Sequence, residues 1–307
     1  MRDVFEMVSR LLNGGEPLAL ATLVETYETS PAPIGTTVAV DSRGRVAGNI
    51  GAGCHEGDVV QTCLQAIRDG RTRTMGVNLT TADEIAGGTG CGGILKLVIW
   101  KPDREFAAVA DAIARGDRDV HVRIPYEGSF FAFDVPAKNT LIVVGATTLA
   151  QEIAALAKRL NFRTVVVDPR PVFATRERIP DADELISEWP DGYLPGAISD
   201  TTPIVIVSHD PKFDVPALSC ALRSPAPYVG LLGSRRSQAS RRDALRELGF
   251  DERELARIHG PVGLDIGGVT PAETAISILA EIVAVSRGRT GSPLEGAGGR
   301  IHGEALV

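Results

Sequence analysis

Two α/β architectures in series are predicted: a strand-rich first domain, then a Rossmann-like domain built on a doubly wound parallel sheet. Three observations predict this. Strands dominate the text before residue 100, apolar strands alternate with helical stretches from Thr140 onward, and Pro136-Ala137-Lys138-Asn139 breaks one pattern just before the other starts. The boundary falls between residues 101 and 138 and is placed to give domains 1–136 and 137–287.

In the first domain, apolar side chains at helical spacing run from Val4 to Leu12 and stop at Asn13-Gly14-Gly15. Leu18 to Val24 reads as a buried strand, Thr37 to Val40 as a second, and Ser42-Arg43-Gly44 as a turn. Val59, Val60, Cys63, Leu64 and Ile67 mark one face of a helix ending near Gly70, which makes Cys63 a core residue. Ile94 to Trp100 is a strand and Lys101 to Gly116 a helix, with short strands around Val120 to Ile124 and Phe130 to Phe133.

The second domain alternates. Strands at Leu141–Val144, Thr164–Val167, Ile204–Ser208 and Tyr228–Leu231 are separated by helices through Leu160, around Pro216 to Leu222, and from Ser234 to Leu248. Thr270-Pro271-Ala272-Glu273 opens the last helix with a cap, a first-turn proline and a reciprocal glutamate. His259 to Gly267 reads as an ordered loop, neither helix nor strand, and residues 288–307 as a flexible glycine-rich tail.

Composition narrows the function. A net charge of −7 disfavours nucleic acid, and the basic cluster Arg235-Arg236 with Arg241-Arg242 is short enough to suit a small anion instead. The apolar runs are strand-length, far short of a membrane span. Four cysteines without a signal-peptide pattern do not make a secreted disulfide framework, so a reducing cytoplasm is expected.

Chemistry concentrates in two glycine clusters, Gly51-Ala52-Gly53-Cys54-His55-Glu56-Gly57 and Gly87-Gly88-Thr89-Gly90-Cys91-Gly92-Gly93. Gly53 and Gly92 let the backbone approach a ligand beside each sulfur, which a buried packing cysteine does not require. Cys54 precedes a helix whose amides and dipole favour a thiolate, making it a nucleophile or soft-metal ligand. Glu56 is near enough to accept a proton, while its charge pushes the thiol pKa the other way. Cys220 lies on an apolar helical stripe and reads as core.

In the second domain Gly145-Ala146-Thr147-Thr148-Leu149-Ala150 stands where a Rossmann phosphate turn belongs, but Thr147 replaces the middle glycine that admits a pyrophosphate. Asp168 ends the second strand where an acid binds a ribose hydroxyl, and Arg170 is placed to meet a phosphate. A rearranged nucleotide site and no nucleotide site are equally open. His209, in Ser208-His209-Asp210, and Ser234, Arg235 and Arg236 follow strand carboxyl ends, where open parallel sheets bind ligands. Asp265, in the loop from His259, is positioned to close over a ligand or to pack.

Together Ser30-Pro31-Ala32-Pro33-Ile34-Gly35, Gly51 to Gly57, Gly90-Cys91-Gly92-Gly93, His209 to Asp214, Gly233-Ser234-Arg235-Arg236 and His259 to Gly267 resemble the XdhC/CoxI family, maturation factors of molybdenum hydroxylases such as xanthine and carbon monoxide dehydrogenases. The resemblance runs from about Phe5 to Val285. It implies a chaperone more than a catalyst, which binds molybdenum cofactor (molybdopterin or its dinucleotide form), assists its sulfuration by a cysteine desulfurase, and delivers it to an apo hydroxylase. Cys54 then handles the cofactor, as its metal-facing thiol, and Cys91 falls in the second cluster. Family members commonly carry a fuller Gly-x-Gly-x-x-Gly turn, so Thr147 counts against NAD(P). The competing classes are an NAD(P)-dependent oxidoreductase and a protein-docking factor without cofactor. A homodimer is expected, since a parallel sheet beside a strand-rich domain leaves edges to cover.

Overall fold

The computed structural model describes residues 1–28, 32–51, 55–78 and 93–296. They fall into two compact units, Met1–Ala137 and a second beginning at Lys138. The class is α/β, with an antiparallel sheet in the first unit and a parallel sheet in the second.

The first unit contains α1 (Arg2–Asn13), β1 (Leu18–Glu28), β2 (Thr37–Asp41), β3 (Val46–Ala47), α2 (Glu56–Asp69), β4 (Arg73–Asn78), β5 (Gly93–Trp100), α3 (Phe106–Arg115), β6 (Val120–Tyr126) and β7 (Ser129–Val135). Five strands form a sheet in the order β3-β2-β1-β5-β4. Alternation along β1 builds two cores: Leu18, Leu20 and Val24 join Val4, Phe5, Trp100 and Phe106 on one face, and Ala19, Ala21 and Leu23 join Val59, Cys63 and Leu97 on the other.

Two features escape the apolar pattern. β1 continues to Glu28, past Val24, because Glu25 and Thr26 pair with β5 beyond a bulge at Leu23/Glu25. β4 is an edge strand with one fully buried side chain, Val77, so it carries almost no apolar signal. β6 and β7 form a hairpin whose two-residue turn, Glu127-Gly128, has both φ angles positive.

The second unit contains β8 (Asn139–Val144), α4 (Thr148–Arg159), β9 (Phe162–Val167), β10 (Glu184–Ile186), α5 (Pro190–Tyr193), β11 (Ile204–Ile206), α6 (Pro211–Leu222), β12 (Val229–Leu231), α7 (Arg235–Glu247), α8 (Glu252–Leu255), β13 (Ile258–His259) and α9 (Pro271–Ser286). The strands are parallel and ordered β10-β9-β8-β11-β12-β13. Chain direction across the sheet reverses between β8 and β11, opening a crevice at their carboxyl ends. Residues of α4 and α9 cover one face, and residues of α6 and α7 the other.

One expectation is corrected here. His259, read as part of a loop, is in strand β13, with Gly230↔His259 in register. A two-residue edge strand is too short to show periodicity. β10, at the other edge, has no fully buried residue and so lacks the apolar run that marks the equally short β11 and β12. Residues 288–296 of the expected tail include one 3-10 turn, Leu294–Gly296.

At the crevice β8 and β11 leave no room for a side chain. Gly145 has φ +107°, and a Cβ there would lie 2.7 Å from the Ser208 Cα and 2.8 Å from its backbone nitrogen. Gly145→Ala is therefore expected to cost about 2–3 kcal/mol, from a forbidden φ plus a backbone clash. Urea denaturation checks this, and a loss below about 0.5 kcal/mol, the range of neutral surface changes, would show that the strand ends part freely.

Candidate functional site

The carboxyl edge of the second sheet gathers most of the residues singled out from the sequence. Asp168 and Arg170 follow β9, Gly145 follows β8, His209 follows β11, and Ser234, Arg235 and Arg236 follow β12. Asp265 lies farther along, in the exposed loop between β13 and α9.

Asp168 is fully buried and its acceptor positions are filled. One oxygen takes the Arg170 amide and Nε, each at 2.9 Å, and the other takes the Ala146 amide and the Arg170 Nη2, each at 2.8 Å. Burial pushes this carboxyl's pKa up, but the Arg170 side chain and the two amides outweigh it and hold it below the ordinary value. Asp168 thus closes the turn after β8 and fixes Arg170.

Part of the turn is satisfied internally, while the Thr148 and Leu149 amides at the start of α4 donate to no group among the described residues. The Gly145 amide donates to Val167 O at 2.8 Å, the Thr147 amide to Gly145 O at 3.0 Å, and the Ala150 amide to Thr147 Oγ1 at 3.2 Å. Thr147 is the N-cap of α4. A dinucleotide in the usual pose needs a free carboxylate at Asp168 and room for its pyrophosphate where the Thr147 side chain stands. The described residues do not fit that pose.

His209 is exposed and holds φ +61°, a left-handed conformation rare outside glycine. Asp214 and Arg241, read from the sequence only as part of a motif and of a basic cluster, hold it there. Asp214 accepts from Ser208 Oγ (2.5 Å) and from Arg241 Nε and Nη2 (3.1 and 3.0 Å), and Arg241 Nη2 also donates to the His209 carbonyl (3.1 Å). The basic cluster read from the sequence therefore divides. Arg241 turns inward to this buried pair, and Arg242 donates to Leu255 O and Ile258 O, whereas Arg235 and Arg236 are exposed. A helical wheel shows the reason, since positions six residues apart on α7 face different ways.

Ser234 caps α7, accepting the Ser237 amide at 3.3 Å. The loop carrying Asp265 is anchored at its base, where Glu281 accepts from the Gly263 amide (2.8 Å) and Tyr228 Oη (2.5 Å), and lies 3.1 Å from His259 Nδ1. The Tyr228 and His259 rings stack at 4.4 Å. Burial, with Glu281 adding to it, pushes the Tyr228 phenol up.

In the first unit, Cys54, Gly53, Cys91 and Gly92 lie outside the described residues. Glu56 opens α2, is exposed, and lines a recess of about 340 Å³, counting its open mouth, with Val38, Gly48, Ile50 and Val59. Cys63 is wholly buried on α2, and burial pushes its thiol up to about 12. Cys220 is half-buried against the core around α6, and burial raises its thiol too. Neither environment favours a thiolate.

The model of the XdhC Rossmann domain matches residues 141–282, and that of the XdhC and CoxI family matches residues 11–78. The chain belongs to the XdhC and CoxI family. Over 92% of its length it is 26% identical to a Bacillus subtilis protein named as a probable xanthine dehydrogenase subunit, covering 97% of that protein. It is 24% identical, again over 92% of its length, to the molybdenum cofactor insertion chaperone PaoD of Escherichia coli, covering 88% of it. It also matches the uncharacterized protein YqeB of Escherichia coli, 27% identical over 94% of this chain, and there spans only 47% of the relative's length. A crystal structure described as a xanthine dehydrogenase from Bacillus halodurans shares the fold, with a TM-score of 0.77 at 24% identity over 94% of this chain and 98% of that one. No helix of the described residues is long and apolar enough to cross a membrane.

Two measurements test the XdhC-type Rossmann unit. Calorimetry is expected to show no tight NAD or NADP binding to the natural protein, and Thr147→Gly to strengthen it by opening the turn; submicromolar binding by the natural protein would overturn this. Asp168 has its pKa lowered on folding, so it adds stability above about pH 4 that is lost as the pH falls through the folded-state value. Asp168→Asn should lower stability at pH 7 and flatten the acid dependence below about pH 4, read by urea melts at falling pH. Parallel pH profiles for the two proteins would contradict the assignment.

Proposed function

We propose that this chain is a maturation factor of a molybdenum hydroxylase, binding molybdenum cofactor as cargo, assisting its sulfuration and delivering it to an apoenzyme. The alignment with the insertion chaperone PaoD, which spans 92% of this chain and 88% of the relative, carries this reading. The Bacillus subtilis relative, named for xanthine dehydrogenase, supports a hydroxylase of that type as client. A cysteine desulfurase as sulfur donor, a cytoplasmic location and a homodimer complete the proposal.

The chemistry of the chain is suited to this cargo. Thiols such as Cys54 and Cys91 are soft donors for molybdenum, with Glu56 two residues after the first in sequence as a proton acceptor. Arg235 and Arg236, exposed in the first turn of α7 beside the Ser234 cap, suit the phosphate of a pterin. A nicotinamide-dependent oxidoreductase is the other reading of the Rossmann unit, and the filled acceptors of Asp168 count against it.

Mixed anaerobically with released cofactor and separated by gel filtration, the protein is expected to carry molybdenum and pterin fluorescence in its peak, at about one per chain. Failure of both to co-elute defeats the proposal. Cys54→Ser and Cys91→Ser should weaken that retention while leaving the fold intact. Cys63→Ala should instead cost on the order of 1 kcal/mol of stability, as deletion of a small buried group does.

A further inference from the structure

At the carboxyl end of β9, beside the crevice, Arg170 is held more tightly than an exposed arginine ordinarily is. Its Nε and Nη2 are committed to Asp168, and its guanidinium lies over the Phe173 ring at 4.5 Å and the Phe213 ring at 5.3 Å. Its side chain is still 38% exposed. A guanidinium carries five N–H donors, so both Nη1 hydrogens and one on Nη2 remain for a ligand. The aromatic contacts and the carboxylate have already removed its rotamer freedom, so binding an anion costs it little further ordering.

The surroundings add charge and a flat surface. Lys212 lies over Phe213 at 4.8 Å and Arg178 over Phe173 at 5.3 Å, and Arg178 makes no ion pair among the described residues. Three cations thus meet two carboxylates, Asp168 and Asp210. Trp189, half-exposed, sets its ring against Phe213 at 5.2 Å in an edge-on contact that leaves an aromatic face open. All of these groups follow the carboxyl ends of β9, β10 and β11.

We propose that Arg170, Phe173, Phe213 and Trp189 form a nucleotide site that selects for a phosphate monoester in place of a ribose diol. A free diol has no acceptor here, because each Asp168 oxygen already takes two hydrogen bonds. A phosphate meets the outward edge of Arg170, with Arg178 and Lys212 supplying the field, while the base lies on Trp189. This site is separate from the α7 arginines and does not rest on the maturation role, which molybdenum co-elution tests independently.

The experiment titrates the full chain with adenosine, AMP, inorganic phosphate, NAD and NADP, following tryptophan fluorescence and heat. Of the two tryptophans Trp100 is buried, so a change in emission reports on Trp189. AMP is expected to bind at least tenfold tighter than adenosine and tighter than inorganic phosphate, and NADP tighter than NAD. Arg170→Gln should abolish the preference of AMP over adenosine, and Arg170→Lys should recover only part of it. Trp189→Ala, which leaves Asp168 and its partner intact, should bring AMP down towards inorganic phosphate; it decides the matter if the Arg170 variants do not fold. Equal binding of AMP and adenosine to the natural protein, a preference that survives Arg170→Gln, or unchanged AMP affinity in Trp189→Ala would each overturn the proposal.

Discussion

The saturated carboxylate of Asp168 governs the working edge of the second unit. A buried charge is tolerable only when it is paired and hydrogen-bonded, and here one aspartate receives two backbone amides and a two-pronged arginine. The amide of Ala146 fixes the turn after β8, and Arg170 fixes the segment after β9. These are the two positions from which a Rossmann unit normally grips a dinucleotide, so the interaction that gives the edge its shape also takes up the carboxylate that would hold a ribose.

A second buried pair repeats the device one strand over. Asp214 and Arg241 tie α6 to α7 and hold both the Ser208 hydroxyl and the His209 carbonyl, which keeps an exposed histidine in a left-handed conformation. Removing either partner would strand a buried charge, a loss of about 3–5 kcal/mol in comparable cases. Strain at His209 is thus maintained by packing some distance from the side chain that shows it.

How much of this is legible in the sequence depends on element length and on whether a side chain's partner is near in the chain. The long strands β8 and β9 and the capped helix α9 declare themselves through apolar runs and Thr270-Pro271-Ala272-Glu273, whose reciprocal cap is formed. β10 and β13 do not, because they are short edge strands without the fully buried apolar run that marks the central β11 and β12. The position of Asp168 is readable from strand spacing, but the filling of its acceptors is not, since that depends on the rotamer of Arg170. Arg241 escapes for the same reason: its partner lies 27 residues earlier, and the run of neighbouring arginines suggests a shared face that α7 does not give them.

The cap that Thr147 places on α4 has a consequence for the life cycle of the molecule. Many nucleotide-binding turns leave amides open that only the ligand satisfies, so ligand loss loosens the fold through mass action. Here one amide of the helix start is taken by the Thr147 hydroxyl and the neighbouring Ala146 amide by Asp168. Much of the edge is therefore held by the chain's own groups whether or not a ligand is bound. A ligand leaving such an edge takes fewer of the turn's hydrogen bonds with it, so the empty and filled forms differ less in stability.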